Sequence, residues 1–199
     1  GWPDILVAND KGNVYGPNEL FRNNGDGTFM AVGPQTNTNI AIDGMGIDFL
    51  DVFNDGGVDF YCTDVPIDHL FQVWNPTTSS YDNATATYNV FGMGVGWACK
   101  FLDYDNDGWQ DLQIVHSQAP NYFYRNPGAP ASANVAWPNV APSLGMDQFL
   151  WQFTNAHGDF DNDGRVDVLE RYDTGPFVSP EGVVLMRNTV AGGNWLKFK

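Results

Sequence analysis

The chain has 199 residues, 43% hydrophobic and 15% aromatic, which is enough apolar material for a sizeable core and excludes disorder. Its formal net charge is −15, from 9 basic and 24 acidic side chains, and that balance speaks against nucleic acid as a partner. No stretch approaches the length of a membrane-spanning helix, and no apolar helical period extends over a dozen residues anywhere.

The chain opens on Gly1-Trp2-Pro3-Asp4, followed by the apolar run Ile5-Leu6-Val7-Ala8. That run is short, β-branched and bounded by turn formers, so it reads as a strand. Glu19-Leu20-Phe21-Arg22-Asn23 reads as a second strand, and Asn24-Gly25-Asp26-Gly27-Thr28-Phe29 as a tight hairpin turn. Gly44-Met45-Gly46-Ile47-Asp48-Phe49 is a glycine-rich approach to an inner strand, where glycine marks close backbone contact.

A nine-residue acidic loop follows. In residues 51–59, Asp51, Asp55 and Asp59 stand at positions 1, 5 and 9, with Gly56 at position 6 and Gly57 at position 7. Phe53 holds position 3. Phe60-Tyr61-Cys62 and His69-Leu70-Phe71-Gln72-Val73-Trp74-Asn75 then read as strands. The Ser/Thr-rich residues 76–87 are expected as an exposed outer loop or hairpin, and Asn83-Ala84-Thr85 is a formal glycosylation acceptor. Gly92-Met93-Gly94-Val95-Gly96-Trp97-Ala98 repeats the glycine-rich approach.

Residues 103–111 give the loop in complete form: Asp103, Asp105, Asp107 and Asp111 at positions 1, 3, 5 and 9, Gly108 at 6, Trp109 at 7. Calcium wants six to eight hard oxygen ligands, and this spacing offers inward side chains at 1, 3 and 5, the carbonyl at 7 and a closing carboxylate at 9. Glycine permits the sharp reversal. Four carboxylates this close repel one another without a cation. Leu112-Gln113-Ile114-Val115 and Tyr122-Phe123-Tyr124-Arg125-Asn126 follow as strands. Residues 159–167 repeat the complete loop with Asp159, Asp161, Asp163 and Asp167, and Arg165 at position 7. Val168-Leu169-Glu170-Arg171 and Val184-Leu185-Met186-Arg187-Asn188 are the next strands. The loop at 51–59, with no oxygen on Phe53, is expected to bind more weakly or not at all.

Gly1-Trp2-Pro3-Asp4 aligns with Gly108-Trp109-Gln110-Asp111, so the sequence is read as starting inside a further copy. The position-9 aspartates are then Asp4, Asp59, Asp111 and Asp167, spaced by 55, 52 and 56 residues, and self-similarity at that period means a repeat architecture. Each repeat offers about four short strands. That fits an all-β fold of β-propeller blades, where radial repetition protects sheet edges. Trp97, Trp109, Trp151, Phe71 and Phe123 are expected between blades; the alternative is exposed aromatics stacking on sugar rings. Residues 159–170 also satisfy an EF-hand loop, with Glu170 at position 12. The equivalent places hold Ile114 and Cys62, and strands rather than helices flank the loops, so that reading is set aside. Cys62 and Cys99 either pair or remain two buried thiols. His69, His116 and His157 are dispersed, and no nucleophile–base grouping or zinc cluster emerges, so no enzyme is read here.

The stretches DYDNDGWQDL, DFDNDGRVDV and ELFRNNGDGTF resemble the FG-GAP/VCBS repeats of integrin-α-like propellers and secreted bacterial proteins. The final Gly192-Gly193-Asn194-Trp195-Leu196-Lys197-Phe198-Lys199 resembles the opening of an ASPIC/UnbV domain, as in proteins similar to cartilage acidic protein. The resemblance implies about four blades of a seven-bladed propeller over 1–188 and a further domain starting in 189–199. It implies Ca²⁺ on the loop aspartates and an extracellular or cell-surface location. It also implies a role in adhesion, recognition or surface assembly, with a protein or glycan partner, or self-assembly through exposed blade faces. Two other readings stand beside it: a lectin-like carbohydrate binder, and the non-catalytic part of a larger secreted enzyme.

Overall fold

A computed structural model describes residues 1–65, 69–149, 151–173 and 182–190, and the account below concerns these residues. Their strands form four antiparallel sheets, each a meander of strands consecutive in sequence. The first sheet holds β1 (Ile5–Val7), β2 (Glu19–Asn23) and β3 (Phe29–Ala31). The second holds β4 (Ile47–Leu50), β5 (Asp59–Cys62), β6 (Leu70–Asn75) and β7 (Ser80–Asn83). The third holds β8 (Val95–Leu102), β9 (Asp111–Ser117) and β10 (Tyr122–Tyr124), and an isolated bridge from Tyr124 to Asn139 stands where a fourth strand would lie. The fourth holds β11 (Trp151–Gly158), β12 (Asp167–Asp173) and β13 (Gly182–Met186).

The acidic loops are the β4–β5, β8–β9 and β11–β12 turns, so strand alternation places all three at the same end of their sheets. No long helix flanks them. The helices of the described residues are single turns: α1 (Gly12–Tyr15), α2 (Gly33–Thr36), α3 (Thr85–Tyr88) and α4 (Ala141–Leu144). The last three each follow the outer edge of a sheet and close on a left-handed residue, Asn37 (φ 57°), Asn89 (φ 57°) and Gly145 (φ 69°). Asparagine and glycine are the residues that take that conformation at least cost.

Every pair of successive sheets shares its own apolar core. Phe60, Cys62 and Leu70 of the second sheet pack with Leu6 and Ala8 beside the first. Tyr61, Phe71, Cys99, Phe101, Leu112, Ile114 and Tyr124 join the second sheet to the third, with Trp137 fully buried among them. Leu102, Phe123, Met146 and Val168 join the third to the fourth. β8 and β11 both shift register, around Trp97 and around Phe153, and these two rings meet edge-on at 5.3 Å between the sheets.

Phe71, Phe123 and Trp97 therefore lie between sheets as expected. Trp109 does not: its indole lies over Gly128 at the end of its own repeat, as Trp2 lies over Gly25. Cys62 and Cys99 are buried free thiols, and burial pushes Cys62 up to about 12 and Cys99 well above the usual thiol range. Residues 76–83 form the expected hairpin with an exposed turn, but the chain then turns inward. The buried Thr85 hydroxyl donates to the His69 carbonyl (3.0 Å) and accepts from the Phe71 N–H (2.8 Å). The stretch resembling an ASPIC/UnbV opening, 192–199, lies outside the described residues.

Candidate metal centres

Each acidic loop is first a hydrogen-bonded turn. In 103–111 the position-1 carboxylate of Asp103 accepts the N–H groups of Asp107 (3.0 Å) and Gly108 (2.9 Å). Asp107 accepts from the Trp109 N–H (2.9 Å). Asp159 and Asp163 repeat this with Asp163, Gly164 and Arg165, and Asp51 and Asp55 repeat it with Asp55, Gly56 and Gly57. Position 4 is left-handed asparagine in all three: Asn54, Asn106 and Asn162. Gly56, Gly108 and Gly164 at position 6 have φ of 87–91°, which a Cβ resists. The backbone turn is thus the same whether or not a carboxylate stands at position 3.

The side chains differ. Asp103, Asp105 and Asp111 bring one carboxylate oxygen each to within 4.8 Å of one another, and Asp159, Asp161 and Asp167 do the same. In 51–59 Phe53 turns into the core against Tyr88 (5.1 Å) and Trp137 (6.1 Å), and Asp51, Asp55 and Asp59 form no such triple. The position-5 residues Asp107 and Asp163 stand outside the triples. Their outer oxygens are held by arginines: Arg125 reaches Asp105 (2.6 Å) and Asp107 (2.8 Å), and Arg187 reaches Asp161 and Asp163. Arg165, at position 7, also pairs with Asp163. Trp109, Arg165 and Gly57 are tied to position 5 through their N–H groups.

The donor set fits a hard cation. It is all oxygen, which suits calcium or magnesium. Oδ1 of Asp105 is buried without a hydrogen-bond partner, an uncompensated acceptor that a cation would satisfy. Asp111 is fully buried. Burial pushes its carboxyl up to about 8, Asp105 and Asp107 add to this, and the N–H groups of Asn126 and Tyr104 oppose it. Asp59 is pushed up to about 7 for the same first reason. A carboxylate so placed gains more from a nearby positive ion than a solvated one does.

A second feature joins the loops to one another. Asp111 accepts from the Asn126 N–H (2.8 Å), and the Asn126 amide donates to the Val52 carbonyl in the preceding loop (3.1 Å). Asp167 accepts from the Asn188 N–H (2.7 Å), and the Asn188 amide donates to the Tyr104 carbonyl (2.6 Å). Val52 and Tyr104 in turn donate their N–H groups to Asp59 (3.3 Å) and Asp111 (3.1 Å). The position-9 aspartates of three successive repeats therefore lie on one hydrogen-bonded path, Asp59–Val52–Asn126–Asp111–Tyr104–Asn188–Asp167.

The chain matches the family model described as FG-GAP-like repeat over residues 1–62 and 103–170, well over half its length. It belongs to the FG-GAP-like repeat family. The two matched segments of this FG-GAP-like chain bring in all three acidic loops and the first repeat's Asp4, whose carboxylate accepts from the Asn23 N–H (2.8 Å) as Asp111 does from Asn126. FG-GAP-like repeats are generally repeats of extracellular adhesion and recognition proteins. A comparison with curated proteins finds no match. No helix among the described residues is long and apolar enough to cross a membrane.

Two groups lay beyond sequence reasoning. His69 and His116, far apart in sequence, stack at 5.2 Å between the second and third sheets, 1% and 0% exposed. None of their ring nitrogens makes a hydrogen bond of ordinary geometry. Burial pushes His69 down to about 3, with His116 adding to it and the Asp64 carbonyl opposing; burial pushes His116 down to about 4. Glu170 is the other. It faces away from its loop and accepts from Gln113 (2.5 Å) and Gln152 (2.8 Å) between the third and fourth sheets, so it is no position-12 ligand. Burial pushes it up to about 7.

Proposed function

We propose that the chain is a non-enzymatic recognition or adhesion module of the extracellular space or cell surface, whose repeats are stabilised by Ca²⁺. The observation that carries this is the pair of convergent triples, Asp103–Asp105–Asp111 and Asp159–Asp161–Asp167, in a chain of this family. The ion would supply positive charge and a coordination shell at the end of each hairpin. The chain's own residues do the rest. Asp103 and Asp159 close the turns, Asp111 and Asp167 hold the third strand of each sheet through Asn126 and Asn188, and Phe53 takes the second sheet's loop out of ion binding.

Exposed apolar side chains on the first and fourth sheets, Ile5, Phe29 and Met30 at one end, Val183 and Leu185 at the other, support a larger ring. In this reading further blades, to a total of seven, or a partner cover them, and the ASPIC/UnbV resemblance at 192–199 belongs to the same proposal. Phe71 and Phe123, which the alternative reading would set out as a platform for a glycan, lie in the cores, and this counts against the lectin reading.

Calorimetric titration with calcium tests the reading. Two sites are expected in the parent, one in Asp105→Asn or Asp161→Asn, and none in the double variant. A parent that takes up no calcium, or that keeps two sites in the double variant, refutes it.

A further inference from the structure

The three loops are a comparison made inside one chain. Their backbone turns share the same hydrogen bonds and left-handed positions, but two side-chain positions change together. The strand pairing ends at Tyr124–Leu112, Met186–Val168 and Gln72–Phe60, so Arg125 and Asp111, Arg187 and Asp167, and Val73 and Asp59 follow as the next residues of the two strands. Where position 3 is Asp105 or Asp161, the opposing strand brings an arginine to it. Where position 3 is Phe53, the same strand place is Val73, and both side chains are buried in one apolar core. Asp55 makes no ion pair among the described residues. An acid–base pair in two repeats is thus replaced by an apolar pair in the third.

The contacts divide the carboxylates. Arg125 holds the outer oxygens of Asp105 and Asp107, while Oδ1 of Asp105 is left buried and unpartnered near Asp103 and Asp111. The planar guanidinium suits this, because its fork binds two carboxylates at once. Arg187 straddles Asp161 and Asp163 in the same way. In a loop of four aspartates, one arginine offsets part of the repulsion that would otherwise open the turn. It also sets a positive charge beside the place an ion would occupy.

The geometry points to Arg125 and Arg187 as built-in counter-cations of the two loops: they hold the position-3 and position-5 carboxylates when metal is absent, and they lower calcium affinity as a consequence. This rests on the calcium reading above. It makes the loops stable in both states rather than dependent on the ion for their shape.

The test uses Asp161→Asn as the parent, so that only 103–111 titrates, with Arg125→Met and Arg125→Lys added. In EDTA, Arg125→Met melts below its parent. In saturating calcium the gap narrows. Calcium binds the Met variant roughly three- to tenfold more tightly, the scale of a partly screened charge acting on a divalent ion. Arg125→Lys keeps the charge, loses the fork, and falls between the two. If Arg125 only positions Asp105 for the ion, the Met variant binds calcium more weakly. If it is an inert surface pair, neither melt nor affinity moves. Either result overturns the inference. A parent without calcium uptake sinks the calcium reading instead, and is told apart because the EDTA melts read the arginine without any ion.

Discussion

The glycines around the start of the third sheet's first strand make a sharp prediction. His69 lies across the backbone of Gly92 and Gly96. A Cβ built on Gly96 would sit 2.3 Å from His69 Cε1, 2.7 Å from its Nε2 and 2.9 Å from the Thr63 Cβ. Separations under about 3 Å are not tolerated, and the ring has nowhere to go. It is buried, with Tyr61 edge-on at 5.9 Å and His116 stacked at 5.2 Å. Gly96→Ala is therefore an overpacking change costing about 1–3 kcal/mol. For a chain of this size that lowers the melting temperature by about 2–12 °C. The assay is a double-mutant cycle by urea denaturation. His69→Ala removes the ring, leaves a cavity, and destabilises on its own. In that background Gly96→Ala should cost less than about 1 kcal/mol, because only the Thr63 contact remains, so the coupling favours the double variant. An equal cost of Gly96→Ala in both backgrounds would show that the imidazole is not the reason for the glycine.

Other consequences are as direct. Two calcium sites, each contributing about 2.7 kcal/mol at a hundredfold excess of ion, should drop the melting temperature by roughly 10–20 °C on chelation. Calcium restores it and magnesium does so less, while Asp26→Ala, in an exposed turn, leaves the shift intact; a melt indifferent to EDTA contradicts the site assignment. Asn188→Ala, in the Asp161→Asn background, should weaken calcium at 103–111 by roughly three- to tenfold through loss of one hydrogen bond to Tyr104, although Asn188 touches no ligand of that loop; an unchanged titration breaks the proposed link between loops. Because His69 and His116 are depressed to about 3 and about 4, their stability contribution is present above pH 6.5 and is lost as pH falls toward those values. Glu170, raised to about 7, acts with the opposite sign, so the informative quantity is the difference between His116→Leu and parent, which should flatten the decline between pH 6.5 and 4.5 by up to about 1.4 kcal/mol per pH unit. Parallel curves would mean His116 is protonated in the folded state.

What could be read from sequence was what the chain settles locally. The loop at 159–167 is a nine-residue device whose glycine, asparagine and aspartates act on one another within one turn, so spacing alone located it. Strands and their order followed from short apolar runs between such turns. The arginines show where that stops. Arg22, Arg125 and Arg187 each precede an asparagine in the sequence, but that Arg125 reaches Asp105 depends on strand pairing across 20 residues. Position 5 was read as a ligand from spacing, and no local feature says that Asp107 also meets an arginine from another strand. The His69–His116 stack needs two sheets in contact, which no periodicity encodes. Trp137, the largest fully buried side chain among the described residues, lies in an irregular stretch after the third sheet, where no strand pattern announces a core. The single-turn helices are too short for a period, although their closing residues Asn37, Asn89 and Gly145 carry the mark of a left-handed stop.

The asparagine path gives the array a direction. Asn126 serves Asp111 in its own sheet and Val52 in the one before, and Asn188 does the same for Asp167 and Tyr104. The third and fourth repeats therefore each tie their predecessor's loop as well as their own. The hydrogen-bonded unit is offset from the sheet by one strand end: it begins at one loop and finishes in the next repeat's third strand. A duplication that copies whole sheets copies this offset with them, so an added sheet keeps the path only in the same head-to-tail orientation. Head-to-head or reversed insertion leaves a loop carbonyl facing the wrong edge. The array is in this sense polar, with each of these asparagines reaching from a later repeat to an earlier one.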